Sequence, residues 1–150
     1  MEYVRAQNLL EKMKKDIKNF KNMIYIIDSY AWIEYFIGSK KGEILKKLFS
    51  EVKNKFLTVE CCLVEIKEWC LRENKDFDKL FSIVKSNSSI LHIMEYDWID
   101  AAKEKFEQRK MEKTFGLIDA VILTKQKELN CKIISGDKHF KSLNNVIFMG

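Results

Sequence analysis

Short runs of apolar and β-branched residues, each too brief to make a helix of its own, constrain this chain more than any other feature. They are Met23–Ile27 (MIYII), Phe56–Val59, Ile90–Met94 (ILHIM) and Lys132–Ser135 (KIIS), with Val146–Phe148 as a candidate fifth. Between them lie segments with helical spacing: Ser29–Ile37 closed by Gly38, Gly42–Val52, Leu63–Leu71, Phe77–Val84, a helix capped by Asp97 that runs to about Met111, and Gly116–Leu129. A strand buried on both faces reads as a continuous apolar run, and parallel neighbours need a crossover of a dozen residues or more. The alternation therefore predicts βαβ units, a mainly parallel sheet and helices on both of its faces, which is an α/β architecture.

The chain has 150 residues, 47% hydrophobic and 33% charged, a balance that suits one globular domain and excludes a disordered or fibrous protein. The spacing of Val4, Leu9, Leu10, Met13, Ile17 and Phe20 predicts an amphipathic helix over residues 1–22, preceding a domain of residues 23–150. Of the net charge of +5, much lies in that first segment, where six basic residues face three acids. No run of about 18 apolar residues occurs and the start lacks an apolar signal core, so the expectation is a cytoplasmic protein without a membrane partner. Cys61, Cys62, Cys70 and Cys131 form no CxxC pair and read as buried, reduced thiols.

In parallel sheets the ligand crevice lies beyond the carboxyl ends of the strands, so acids at those ends matter most. Asp28 ends the first run and Asp137 follows the fourth, and each has a plain alternative as a cap or turn residue. Glu65, in CCLVEIKEW, interrupts an apolar patch at a helix start. Asp119, in FGLIDAVIL, has apolar neighbours on both sides. A buried carboxylate without a partner is costly, and Lys125 is more than one helical turn from Asp119, so a bound cation is an economical partner. Four carboxylates without clustered histidines or thiolates suit Mg²⁺ or Mn²⁺ better than zinc, and the chemistry that follows is hydrolysis of a phosphodiester.

At IYIIDSYAWIEYF, CCLVEIKEW, FGLIDAVILTKQKE and CKIISGDKHF the chain resembles the PIN-domain family, and within it the VapC-like toxin ribonucleases. The resemblance implies a three-layer α/β/α fold with a four- or five-stranded, mainly parallel sheet. It implies an Mg²⁺- or Mn²⁺-dependent endoribonuclease, with Asp28, Glu65, Asp119 and Asp137 as catalytic, metal-binding acids and Ser29 and Ser135 supporting them by hydrogen bonds. It also implies an RNA substrate, a homodimer and a small antitoxin partner. The N-terminal extension departs from the family pattern, and Glu60 stands where a hydroxyl residue is common. Glu68, one turn beyond Glu65, is the second candidate for that acid.

Lys41 and Lys138 are candidate phosphate contacts, as are Lys40 and Lys141. Tyr30, Trp32, Tyr35 and Phe36 read as core and interface rather than as base-stacking residues. His92 falls in the third strand as a structural residue, and His139 reads as an exposed loop imidazole. A housekeeping RNA-processing nuclease and a catalytically inactive RNA-binding domain are the alternatives. A phosphoreceiver domain is disfavoured because Met94, Glu95 and Tyr96 stand where its phosphoacceptor would be.

Overall fold

A computed structural model describes residues 4–5, 7–9, 11–12 and 24–150. The described residues before 24 are helical and exposed, and the rest of the expected N-terminal helix lies outside the described residues. From there the elements run β1 (Ile24–Ile27), α1 (Ser29–Ile37), α2 (Gly42–Phe49), β2 (Lys55–Val59), α3 (Cys62–Arg72), α4 (Phe77–Asn87), β3 (Ser89–Leu91), α5 (Glu95–Gln108), α6 (Leu117–Leu129), β4 (Lys132–Ser135), a 3₁₀ turn (Lys138–Phe140) and β5 (Val146–Phe148). The strands form one sheet in the order β3-β2-β1-β4-β5, with every pairing parallel. The expected α/β class and three-layer build are borne out.

Alternation along the strands sorts the core into two layers, because successive side chains point to opposite faces. Ile26, Val59 and Ile133 pack with Ala101, Phe115, Ala120 and Ile122 of the α5–α6 side. Tyr25, Ile27, Phe56 and Ile134 face the other way, onto Trp32, Leu45, Ile66, Trp69 and Val84. Trp32 is fully buried, stacks on Phe36 at 5.6 Å between centroids and donates from Nε1 to Thr58 Oγ1 at 3.0 Å. The aromatic residues of α1 are thus mainly core, as expected. α1 ends at Gly38, whose φ of 75° puts it in the left-handed region where its N–H can close the helix on Glu34 and Tyr35.

Several boundaries differ from the sequence reading, among them the end of α4, which runs on to Asn87 rather than stopping at Val84. β3 stops at Leu91 rather than Met94, because its parallel partner β2 ends at Val59 and no ladder remains to extend. The acid Glu60 takes over there: its Oε1 accepts from Ile93 N at 2.7 Å, while Oε2 lies 2.9 Å from Nδ1 of an exposed His92. His92 is therefore outside the strand. Asp97 does not cap α5 from outside but sits in its first turn and accepts from Met94 N at 2.8 Å, and the helix ends at Gln108. α2 is also shorter, ending at Phe49. No helix among the described residues is long and apolar enough to cross a membrane.

The chain leaves β1 toward β2 on one side, and β4 later returns to the other side of β1. The strand order thus reverses between β1 and β4, and a crevice opens beyond their carboxyl ends.

Candidate metal centre

Asp28 follows the last residue of β1, where its own N–H continues the ladder to Ile134 O at 3.0 Å. It is also the N-cap of α1: Oδ1 accepts from Ser29 N at 2.8 Å. The capping role and a site role therefore coexist in one carboxylate, because the second oxygen stays free for Ser135, whose hydroxyl donates to Oδ2 at 2.6 Å. Ser135 in turn accepts from Asp137 N at 3.0 Å, which links the two strand-end acids through one hydroxyl.

Glu65 lies in the first turn of α3 and accepts from Ser29 Oγ at 2.9 Å. Asp119 lies in the first turn of α6 and folds back to accept from Gly116 N at 3.0 Å. That local bond turns the side chain away from the apolar neighbours it has in sequence. Asp137 caps the 3₁₀ turn, accepting from His139 N at 2.9 Å. All four acids line one open cleft of about 200 Å³, together with Tyr30, Glu68 and Arg72. A somewhat larger depression lined by 54–57 and 85–89 holds no carboxylate or histidine, so size alone does not identify the site.

The electrostatics follow from burial. Asp28 is 3% exposed, and desolvation, reinforced by the charges of Glu65, Asp119 and Asp137, pushes its pKa up to about 7 although the Ser135 hydroxyl opposes the shift. Burial also raises Glu65 and Asp119, against the hydrogen bonds from Ser29 and from Gly116 and His139. Among the described residues neither Asp28 nor Glu65 has a salt-bridge partner. Such a set of buried, mutually repelling oxygens fits a hard divalent cation, which would replace the missing positive charge.

The acids Asp28, Glu65, Asp119 and Asp137 line the same cleft, with Ser29 bonded to Asp28 and Glu65 and Ser135 bonded to Asp28. Glu68 is at the rim instead, exposed and paired with Arg72 at 2.9 Å, which favours Glu65 as the inner acid. Neither Lys41 nor Lys138 lines the cleft. Lys41 reaches it indirectly by donating to Tyr30 Oη at 2.9 Å, and Lys138 is exposed near Glu112. Tyr30 can lie along the cleft because residue 136 is glycine: a Cβ there would come within 2.2 Å of the ring.

Three residues were missed. Cys62 offers its sulfur within 4.8 Å of donor oxygens of Asp28 and Glu65, and the hydrogen bond with Cys61, reinforced by burial, raises its pKa and favours the neutral thiol. Arg72 lies three residues beyond the end of the motif at Trp69, on a helix whose orientation only packing decides. His139 is not an exposed loop imidazole: its side chain is 13% exposed, with Nδ1 at 2.7 Å from Asp119 Oδ2 and 3.3 Å from Asp137 Oδ1. The signal available was its place two residues after Asp137, where a capping bond to its own N–H turns the ring back toward the acids.

A five-stranded parallel sheet in this order, with helices on both faces, gives the chain the PIN-like α/β/α fold. Among its structural neighbours are two toxin–antitoxin complexes and a toxin. A toxin–antitoxin complex from Klebsiella pneumoniae is 17% identical with a TM-score of 0.61, covering 84% of this chain and 98% of that one. VapBC2 from Rickettsia felis, bound to a DNA fragment from its promoter, is 16% identical with a TM-score of 0.64, covering 84% and 97%. VapC20 from Mycobacterium tuberculosis, a toxin that cleaves the sarcin–ricin loop, is 15% identical with a TM-score of 0.67, covering 81% and 96%. No family model and no curated protein matches the sequence. The resemblance read from the four motifs is thus borne out in the fold.

Proposed function

We propose that this chain is a metal-dependent endoribonuclease, the toxin of a toxin–antitoxin pair. The observation that carries the reading is the convergence of four carboxylates on one cleft at the switch point, with the most buried of them, Asp28, lacking any cationic partner among the described residues. Asp28, Glu65, Asp119 and Asp137 would hold Mg²⁺ or Mn²⁺. When bound, such an ion neutralises phosphodiester charge, lowers the pKa of water and stabilises the leaving oxygen.

The chain's own residues prepare the site for that role. Ser29 and Ser135 fix two carboxylates in one rotamer each and favour their charged forms, so that little reorganisation is left for the moment of reaction. Tyr30, tethered by Lys41, offers a ring face at the cleft on which an unpaired base can stack, and the Lys41 ammonium lies close enough to meet a phosphate. Lys138 is a further phosphate contact from the turn after Asp137. Single-stranded RNA suits this open cleft because its bases are not already stacked in a duplex.

Solved neighbours that are toxin–antitoxin complexes support an antitoxin partner. Ile99 and Phe106, both 67% exposed and two helical turns apart on the same side of α5, are the apolar surface on which a second copy would pack in a homodimer. Residues 1–22 form a basic extension of the 23–150 domain.

The test is cleavage of single-stranded RNA by the purified chain with Mg²⁺ or Mn²⁺, with chelator, and with Asp119→Asn. Activity that needs metal and disappears in the variant is expected. Full activity of Asp119→Asn, or cleavage undiminished by chelator, overturns the reading.

A further inference from the structure

The histidine at the cleft has its hydrogen bonds ordered from outside. Thr114 Oγ1 lies 2.7 Å from Glu112 Oε1 and 2.9 Å from His139 Nε2. A hydroxyl has one hydrogen, and the carboxylate is both the shorter and the charged acceptor, so the hydrogen goes to Glu112. Glu112 remains ionised for this, since the bonds from Thr114 hold its carboxyl below the usual range. Thr114 Oγ1 must then accept from His139, which makes Nε2 the protonated nitrogen. Nδ1 is then the nitrogen that faces Asp119 Oδ2 at 2.7 Å and Asp137 Oδ1 at 3.3 Å, and without a cation its N–H donates to Asp119. A cation shared by Nδ1 and the two carboxylates would take the place of that hydrogen, and the three donor atoms lie within 4.8 Å of one another. A ligating imidazole whose other ring N–H is held by a hydrogen-bonded hydroxyl or carboxylate is the arrangement that orients such a ring toward a metal.

We infer that His139 Nδ1 is a metal-ligating nitrogen of this centre, beside Asp119 and Asp137, and that Thr114 and Glu112 act as positioning residues by keeping the other ring nitrogen protonated. The inference rests on the metal-centre reading above. It changes the chemistry of the centre from an all-oxygen set to a mixed nitrogen and oxygen set. Imidazole favours Mn²⁺, Co²⁺ and Zn²⁺ over Mg²⁺, so the site should discriminate against Mg²⁺ more strongly than four carboxylates alone would. The ring is also held from its flank by Phe115, 5.8 Å away between centroids, so it has little freedom to swing out.

The test is pulsed electron paramagnetic resonance on the full chain loaded with Mn²⁺, read together with calorimetric Mn²⁺ binding. Nitrogen hyperfine modulation is expected, and it should change to the heavy-nitrogen pattern when the protein carries nitrogen-15 histidine. That label needs no substitution, so the result does not depend on a variant folding. His139→Gln should lose the modulation while binding Mn²⁺ about tenfold more weakly. His92→Gln, which alters the chain's other histidine, should leave both unchanged. Thr114→Val should weaken Mn²⁺ binding about tenfold as well, although it touches no metal-facing atom. Bound Mn²⁺ without nitrogen modulation overturns the inference and makes His139 a charged donor to Asp119. Modulation that survives His139→Gln also overturns it. Absence of Mn²⁺ binding overturns the metal-centre reading itself, so the two failures are distinct.

Discussion

Ser135 Oγ donates to Asp28 Oδ2 at 2.6 Å, across 107 residues of sequence, and both residues are buried. The bond joins the carboxyl ends of β1 and β4 at the point where the strand order reverses. It is also the main interaction that keeps the Asp28 carboxyl from titrating still higher. Ser135→Ala should therefore raise the Asp28 pKa further and weaken Mn²⁺ binding at neutral pH about tenfold, with a smaller effect at pH 9, where the carboxylate is charged in either case. Calorimetry at the two pH values checks this.

Burial of Asp28 among three other acids makes the metal-free site a source of instability. Asp28→Asn keeps an oxygen for capping α1 and removes the charge, so it should abolish RNA cleavage and yet raise the melting temperature of the chelator-treated protein at pH 8. From the shift of 3.8 to about 7, the gain is on the order of 4 kcal/mol at most. Thermal melts of both proteins in chelator decide the sign.

The same shift has a consequence for pH. A carboxyl whose folded pKa is raised contributes stability that is complete below its unfolded value, here 3.8, and that is lost as pH rises through the folded value of about 7. Glu65 and Asp119 are raised too and add in the same direction. The metal-free protein should be more stable at pH 5 than at pH 8, and saturating Mn²⁺ should reverse that order, because binding requires the charged forms. Melting temperatures across this range, with and without Mn²⁺, provide the measurement.

On the other face of the sheet, Lys125 of α6 is 5% exposed and its Nζ lies 2.7 Å from Asp97 Oδ1 of α5. Removing Lys125 strands the Asp97 charge away from water with only the bond from Met94 N, whereas removing Asp97 leaves Lys125 its pair with Glu128 at 3.0 Å. Lys125→Met should therefore cost about 3–5 kcal/mol in urea unfolding, more than Asp97→Ala. Equal costs for the two variants would mean that the pair is better solvated than its burial implies.

Trp32 holds α1, and so Asp28, against the sheet. Trp32→Ala should destabilise by about 3–5 kcal/mol, whereas Trp32→Phe should cost less because Thr58 Oγ1 retains its hydrogen bond with Ser88. Urea denaturation followed by far-UV circular dichroism gives both numbers.

How much of this was legible beforehand depends on the range of the interaction. The strands β1, β4 and β5 were visible because apolar runs are local, and α1 was visible through its aromatic spacing and Gly38. Asp119 stood out because a charge inside an apolar helical run has no cheap local explanation. ILHIM suggests a longer β3 than forms, because it remains apolar past the point where its partner β2 runs out. Local sequence places His139 in an exposed loop, because its partners, Asp119 and Thr114, are 20 and 25 residues away.

The α/β class, the parallel sheet and the residue types at the strand ends follow from local pattern, since periodicity and burial on both faces act over a few residues. That β4 lies beside β1, that Ser135 meets Asp28, and that His139 turns toward Asp119 rather than solvent emerges from the packed chain alone. Those outcomes depend on strand order and packing, and nothing within one segment specifies which distant segment will be its neighbour.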